Sequence, residues 1–296
     1  MKYKLGAALL LTFAAFVLLV DGFGAPIAPM QAAAEGTFER TLNVNGPVDL
    51  RVSTGSGDIA VRTGGGNTVR IVGRVRVNRR SDDPQGELQA IQANPPIEQQ
   101  GNEVRIGRTD DSGRGRMHYV SISYELVVPS ETELRANSGS GDVTIVGIDG
   151  PIDSHTGSGD IVAMGIAGGF EAHTGSGDVE LDQASAGGVE INTGSGNIEA
   201  EGVRGGLRIN TGSGDIAVDG EATNDWRLTA SSGGITIRLP SDAAFDLEAE
   251  SSSGNIDIDH PLTTQGSIRR NRLRGQVRGG GVRIELKTTS GRIRIQ

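Results

Sequence analysis

Side chains able to do chemistry recur along this chain at a fixed interval. Asp142, Asp160, Asp178 and Asp215, with Asn197 in the same place, each close a Gly-Ser-Gly turn, and His155, His173, Asn192 and Asn210 each open one. A carboxylate ending a Gly-rich turn every 18 residues raises calcium first, since calcium-binding nonapeptide repeats also make 18-residue coils. In those repeats one residue separates the Asp from the inward aliphatic, so both share a side. Here Asp160 and Ile161 are adjacent, and alternation along a strand sends them to opposite sides. The expected role of the Asp column is therefore that of a turn residue bonding its own or the next coil's backbone N–H. Weak, unselective attraction of divalent cations by carboxylates ~4.8 Å apart is the lesser reading. His155 and His173 lie one coil apart and could share a metal ion. Their column neighbours Asn137 and Asn192 offer no third ligand, so an exposed ladder is expected, with no metal and no cofactor.

Acid–base catalysis needs a particular pair of carboxylates, and here a pair occurs in every coil, so spacing selects none. Glycosidases do place such pairs on solenoids, but this array is regular where it is most acidic. No Ser-His-Asp order stands out. The glycine phrases fail as phosphate loops because no helix follows to offer its N-terminus. The chain is expected not to be an enzyme. Arg269, Arg270, Arg272, Arg274 and Arg278 make a different kind of site, a basic stretch within Ser267–Gly281 that reads as a long exposed turn. Residues 137–265 carry 4 basic and 21 acidic side chains and residues 266–296 carry 9 and 1, so the body of the chain repels nucleic acid while its last stretch attracts anions.

The elements that position these groups follow from the repeat itself. The phrase Asn-Ser-Gly-Ser-Gly-Asp142 returns with small changes at 155–160, 173–178, 192–197 and 210–215. Between turns, apolar and polar residues alternate: Val179 and Leu181 with Glu180 and Asp182, then Val189 and Ile191 with Glu190 and Asn192. Period-two alternation bounded by glycines means half-buried strands. Glycines this frequent exclude a helix, each costing about 1 kcal/mol relative to Ala. Eighteen residues at about 3.3 Å trace a loop of roughly 60 Å, one coil of a solenoid with two or three faces. Successive coils stack ~4.8 Å apart, so equivalent residues form columns. Asp and His/Asn columns face outward, while Thr156, Thr174, Thr193 and Thr211 face inward, their hydroxyls within reach of neighbouring backbone. Small aliphatics fill the core, and Ile148, Ile166 and Val203 fill corners. Trp226 takes an inward position held elsewhere by Leu or Ile.

The ends are less regular. Residues 1–34 read as a secretory signal: Lys2 and Lys4, then apolar Leu5–Val20, then Ala32-Ala33-Ala34 for cleavage. Sixteen apolar residues fall short of the ~20 needed to span a bilayer, so no transmembrane span is expected after cleavage. The chain has no Cys, which excludes disulfides and thiolate metal sites. The remaining 35–296 read as one β-solenoid domain, with N-terminal coils and an insertion over 35–135 and regular coils over 136–296. An early copy of the phrase stands at Thr54–Asp58. Ser81-Asp82-Asp83-Pro84 starts a short helix or loop through Ala93, with Leu88 and Ile91 on one face, expected to cap the stack. Strands resume at Glu103–Ile106 and Val120–Val128. Past Gly220 the turns persist as Ser231–Gly234, Ser252–Asn255 and Thr288–Gly291, the last about two coils beyond its predecessor. His118 and His260 have no partner identifiable from sequence.

The repeated Thr-Gly-Ser-Gly-Asp turns, the segment Ile235-Thr-Ile-Arg-Leu-Pro240 and the ending Gly281-Val-Arg-Ile-Glu-Leu-Lys-Thr-Thr-Ser-Gly-Arg-Ile-Arg-Ile295 resemble one family over most of 36–296. It is the bacterial "putative adhesin" β-solenoid group, a domain of unknown function. The resemblance implies an exported all-β solenoid of 18–19-residue coils, in the periplasm, on the cell surface or outside the cell. It carries over no catalytic residues, and this chain departs from the pattern at Arg292, where the group has an acidic residue. The expected function is non-enzymatic: a repetitive polar surface, with Asp142, Asp160, Asp178 and Asp215 beside the His155/His173/Asn192/Asn210 column, contacting a protein or polysaccharide of the envelope or a cell surface. The alternative is an envelope regulatory or stress module docked on anionic lipid or polysaccharide through the five arginines.

Overall fold

The computed structural model describes residues 33–107, 119–264 and 270–296. Residues 1–32, which hold most of the expected secretory signal, His118 and Arg269 lie outside the described residues. Each central coil contributes one strand to each of two long sheets, and the Gly-Ser-Gly turn joins them. Ile152–Thr156 lies in the thirteen-stranded sheet B and Ile161–Ile166 in the twelve-stranded sheet A. Neighbouring coils pair in parallel at the repeat's own offset, as in Ile152↔Phe170↔Val189↔Leu207↔Trp226. That register is the one in which every inward aliphatic meets another, and a one-residue slip would turn the whole apolar set to solvent.

The turn glycines are required by the stacking. A Cβ at Gly177 or Gly214 would run into the carbonyl oxygen of the equivalent glycine one coil below, so only a residue without a side chain lets the coils close to hydrogen-bonding distance. The inward hydroxyls bond as expected: Thr156, Thr174, Thr193 and Thr211 donate to Gly141, Gly159, Gly177 and Gly196 carbonyls at 3.0–3.2 Å. Ile166 and Val203 are fully buried but belong to strands. Bulges at Gly165 and Gly202, whose φ values are +65° and +66°, reset the alternation so that both point inward. Trp226 is buried and its indole N–H donates to the Gly205 carbonyl at 2.8 Å, which satisfies the one polar atom it brings inside.

Stacking follows chain order only in the middle. From Thr132–Ser138 to Ile235–Arg238 each coil lies on its predecessor. At the C-terminal end, Val282–Ser290 and Ile293–Ile295 insert between the coil containing Trp226–Ser232 and the one containing Phe245–Ser251, pairing in parallel with both. The last segment is therefore not the last coil. At the other end Val48–Thr54 and Ile59–Thr63 lie between the coil of Glu103–Ile106 and Val120–Val128 and the coil of Thr132–Ser138.

The expected basic turn at Ser267–Gly281 also differs. Arg272–Val277 forms a strand antiparallel to Phe245–Ser251, with Leu273 and Val277 buried. Its alternation of Arg with apolar residues suits a strand with one wet face, a pattern masked in the sequence by its arginines and glycines, and the two-residue strand Leu262–Thr263 pairs with its far side at Val277 and Gln276. The N-terminal end closes with antiparallel Ala34–Asn43 on Thr68–Val77 and a helix, Pro84–Ala93. Asp83 caps that helix by accepting from the Gly86 N–H at 2.9 Å, and Pro84 takes the first turn, where a missing N–H costs nothing. Its buried face, Pro84, Leu88 and Ile91, covers the inner side of the first strands, and Gln92 donates to the Thr37 carbonyl at 2.9 Å. The short helix or loop expected over Ser81–Ala93 is a helix over Pro84–Ala93, packed against Ala34–Asn43 and Thr68–Val77.

Candidate interaction surface

The turn phrase positions the Asp column at the junction of the two sheets. Asp142, Asp160, Asp178 and Asp215 are exposed, and one oxygen of each accepts the backbone N–H of the equivalent residue one coil on. The bonds run Asp142 to Asp160 at 2.9 Å, Asp160 to Asp178 at 2.8 Å, Asp178 to Asn197 at 2.6 Å, Asn197 to Asp215 at 3.0 Å and Asp215 to Gly234 at 2.7 Å. The ladder uses one acceptor per residue, which is why Asn197 serves in place of Asp. These carboxylates hold coils together and leave their second oxygens to solvent.

His155 and His173 stack face to face with ring centroids 4.7 Å apart and planes within 6°. Nε2 of His155 lies 2.7 Å from Asp153, and Nε2 of His173 lies 2.9 Å from Glu171, each acid two residues back on the same strand. Next in that column, the Asn210 amide donates to the Asn192 side-chain oxygen at 2.7 Å. Among the described residues no cluster of His, Asp and Glu has metal-site geometry.

Beside the His/Asn column runs a charged one that sequence reasoning did not single out. Across sheet B it reads Arg51, Arg135, Asp153, Glu171, Glu190, Arg208, Arg227, Glu285. The next outward column lacks side chains over three coils, where Gly169, Gly188 and Gly206 stand. Together they make a groove of about 670 Å³ across seven coils, floored in its middle by those glycines. Asp153, Glu171 and Glu190 line it, with Arg135 toward one end and Arg208, Arg227 and Arg283 toward the other. A Cβ at Gly188 would meet nothing within 4 Å, so the groove is open space and not a packing defect. The signal was in the sequence: each glycine directly precedes an inward apolar residue, Phe170, Val189 or Leu207, at the repeat's period. Glu285 closes the basic end, bonded by Lys287 and facing Arg227 at 3.0 Å and Arg283 at 3.9 Å. Lys287, then the two guanidiniums, hold its carboxyl below the usual carboxylate range.

The arginines at the C-terminal end are not gathered into one loop. Arg272 and Arg274 project from their strand toward solvent, opposite Glu250 and Glu248 in register. The Arg278 guanidinium donates to the Ser241 carbonyl, at 2.9 and 3.2 Å. His260 is buried at the same end, edge-on to Phe245 at 5.7 Å.

Residues 48–296 match the family model described as Toastrack DUF4097. Solved structures that resemble the chain include a "putative cell adhesion protein" from Clostridium sporogenes, 12% identical over 88% of this chain and 99% of that one, with a TM-score of 0.29. A "putative adhesin" from Bacteroides fragilis is 10% identical over 88% and 97%, with a TM-score of 0.31. Another from Parabacteroides merdae is 10% identical over 88% and 96%, also with a TM-score of 0.31. Superpositions this loose carry no argument about function. No curated relative matches the chain.

Proposed function

We propose a non-enzymatic binding role for this chain, which belongs to the Toastrack DUF4097 family: sheet B presents a repetitive polar surface to a partner in the envelope or on a cell surface. The observation that carries this reading is the glycine-floored groove with carboxylates in its middle and guanidiniums near its ends. Its groups are side chains fixed on strands at regular intervals, the arrangement that recognises an extended partner such as a polysaccharide or a peptide by many small polar contacts. Rigid placement lowers the ordering cost of each contact. A catalytic site calls for a local departure from the repeat, and the acidic rows of this groove follow the repeat closely. Export through the signal-like 1–34 would bring the solenoid to the periplasm, cell surface or medium, and no described helix is long and apolar enough to cross a membrane.

The test is binding of the purified protein to isolated envelopes and intact cells, with Gly188→Tyr as the blocking variant. The backbone at Gly188 has no positive φ and its Cβ direction is open, so the ring fills the groove without straining the coil. Loss of binding at unchanged melting temperature supports the groove. Binding retained by both Gly188→Tyr and Glu171→Arg/Glu190→Arg rejects it. A second reading has its own observation: among the described residues Arg270, Arg272 and Arg274 make no ion pair, and two of them extend toward solvent from the strand Arg272–Val277. In that reading the chain is an envelope module docked on anionic lipid or polysaccharide, and replacing these arginines with Gln removes envelope association while Gly188→Tyr leaves it intact.

A further inference from the structure

The outer face of sheet A is unlike that of sheet B, and its pattern is complementary to itself. One outward column reads Glu125, Ala60, Thr144, Val162, Glu180, Glu199, and the column beside it begins Val127, Arg62, Val146, Met164. Past the bulge after Ala163 the second column continues with Asp182, then Glu201. The centre of this face is therefore apolar, and Val146 is 41% exposed, one of two large apolar side chains left so open among the described residues. On one side of the patch stands Arg62. On the other stand Glu180, Asp182, Glu199 and Glu201, followed by Asp219. None of these six makes an ion pair among the described residues, although surface charges of this protein commonly do. An apolar centre with unpaired charges of opposite sign on its two sides is the anatomy of an interface, not of a solvated face.

We propose that the occupant is a second copy of this chain, packed sheet A to sheet A about a two-fold axis parallel to the strands and passing between those of Thr144 and Val162. That axis reverses the order of coils and keeps each column opposite itself. Val146 then meets Met164 of the other copy, Val162 meets Thr144, and Arg62 faces Asp182. Further out, Val72 meets Ala217 and Arg70 approaches Asp219. The like-charged opposition of Glu125 and Glu199 is offset by Arg74, which pairs with Glu125 at 2.6 Å. Eight coils ~4.8 Å apart with strands about five residues wide cover roughly 600 Å² per copy, near the lower bound for a specific complex. Such a dimer forms with increasing concentration, and it leaves both copies of the sheet B groove facing outward on opposite sides.

The test is sedimentation equilibrium of the protein as cells produce it, with Arg62→Glu, Asp182→Arg and Val146→Asp variants. All three positions are outward on strands, so circular dichroism should be unchanged. The wild type is expected to dimerise, and each single variant to dimerise about tenfold more weakly or less. Mixing Arg62→Glu with Asp182→Arg restores the dimer, because every 62–182 contact in the mixed pair again joins opposite charges. A wild type that stays monomeric at all concentrations overturns the proposal. So does a dimer indifferent to all three variants, or a mixture no stronger than its components. Gly188→Tyr, on the other sheet, leaves dimerisation unchanged whether or not it blocks the groove.

Discussion

The central coils and the terminal coils share the repeat's inward alternation and its glycine turn, yet they are assembled differently. In the centre each coil bonds one 18 residues away, as in Asp160 to Asp142. At the ends the inserted coils bond across 84 residues at Asp142 to Asp58 and across 58 at Arg227 to Glu285. Closing those longer loops costs only about 1 kcal/mol more than closing an 18-residue one. The kinetic difference is larger, because a coil that must be inserted between two others waits for chain that is distant in sequence. The centre can grow by adding coils one at a time, whereas each end is completed by an insertion. The comparison separates local repeat energetics, which are shared, from assembly order, which is not.

Removing whole coils tests that separation most strongly. Deleting Ile161–Asp178 removes one central period and leaves the phrase in phase, so the neighbouring coils should stack directly and the protein should fold with the stability of one coil lost. Deleting 282–296 instead removes the inserted coil with Ile284, Leu286, Ile293 and Ile295, all fully buried. Each such side chain contributes about 1.5–3 kcal/mol. Hydrogen exchange should then show loss of protection over 245–258, with 132–221 still protected. Equal loss in both deletions would abolish the distinction between the regions.

Single core truncations come next. Leu181→Ala in the centre and Leu286→Ala in the inserted coil should each cost about 2–5 kcal/mol at equilibrium. Their kinetics should part: Leu181→Ala slows folding, while Leu286→Ala mainly accelerates unfolding, because the inserted coil forms late. A stopped-flow comparison of the two reads this directly.

Polar ladders should behave alike in both regions. Thr193→Val and Thr288→Val each lose a hydroxyl bond to a turn carbonyl, 3.2 Å to Gly177 and 2.8 Å to Gly233, and each should cost about 1 kcal/mol by thermal melting. Asp178→Asn should be close to neutral, since Asn197 already fills the same role, while Asp178→Ala strands the Asn197 N–H and should cost about as much as the Thr variants.

The smallest expected effect belongs to the inserted coil alone. The carboxyl of Glu285 titrates below its unfolded value, so it adds stability above the ordinary carboxylate range and loses it as pH falls through the depressed value. Glu285→Gln should flatten the acid side of the stability profile, read by thermal melting across pH.

The sequence by itself determined the coil. Alternation fixed which residues face in, the glycine pairs fixed the turns, and adjacency of Asp160 to Ile161 was enough to take the carboxylate out of the core and into a backbone ladder. The short helix was legible from Asp83-Pro84 and its apolar Leu88 and Ile91. These are properties of one repeat or one helix turn, and local pattern determines them because each residue's side of the strand depends on its neighbours. The sequence could not decide stacking order, because every coil presents nearly the same edge and several partners satisfy the same ladder. Only the tertiary structure decided that 282–295 lies inside the stack, that Arg272–Val277 is a strand, and that Gly169, Gly188 and Gly206 open onto one groove. Those outcomes depend on which like edges meet, and the choice is made by the fit of whole coils and their connections.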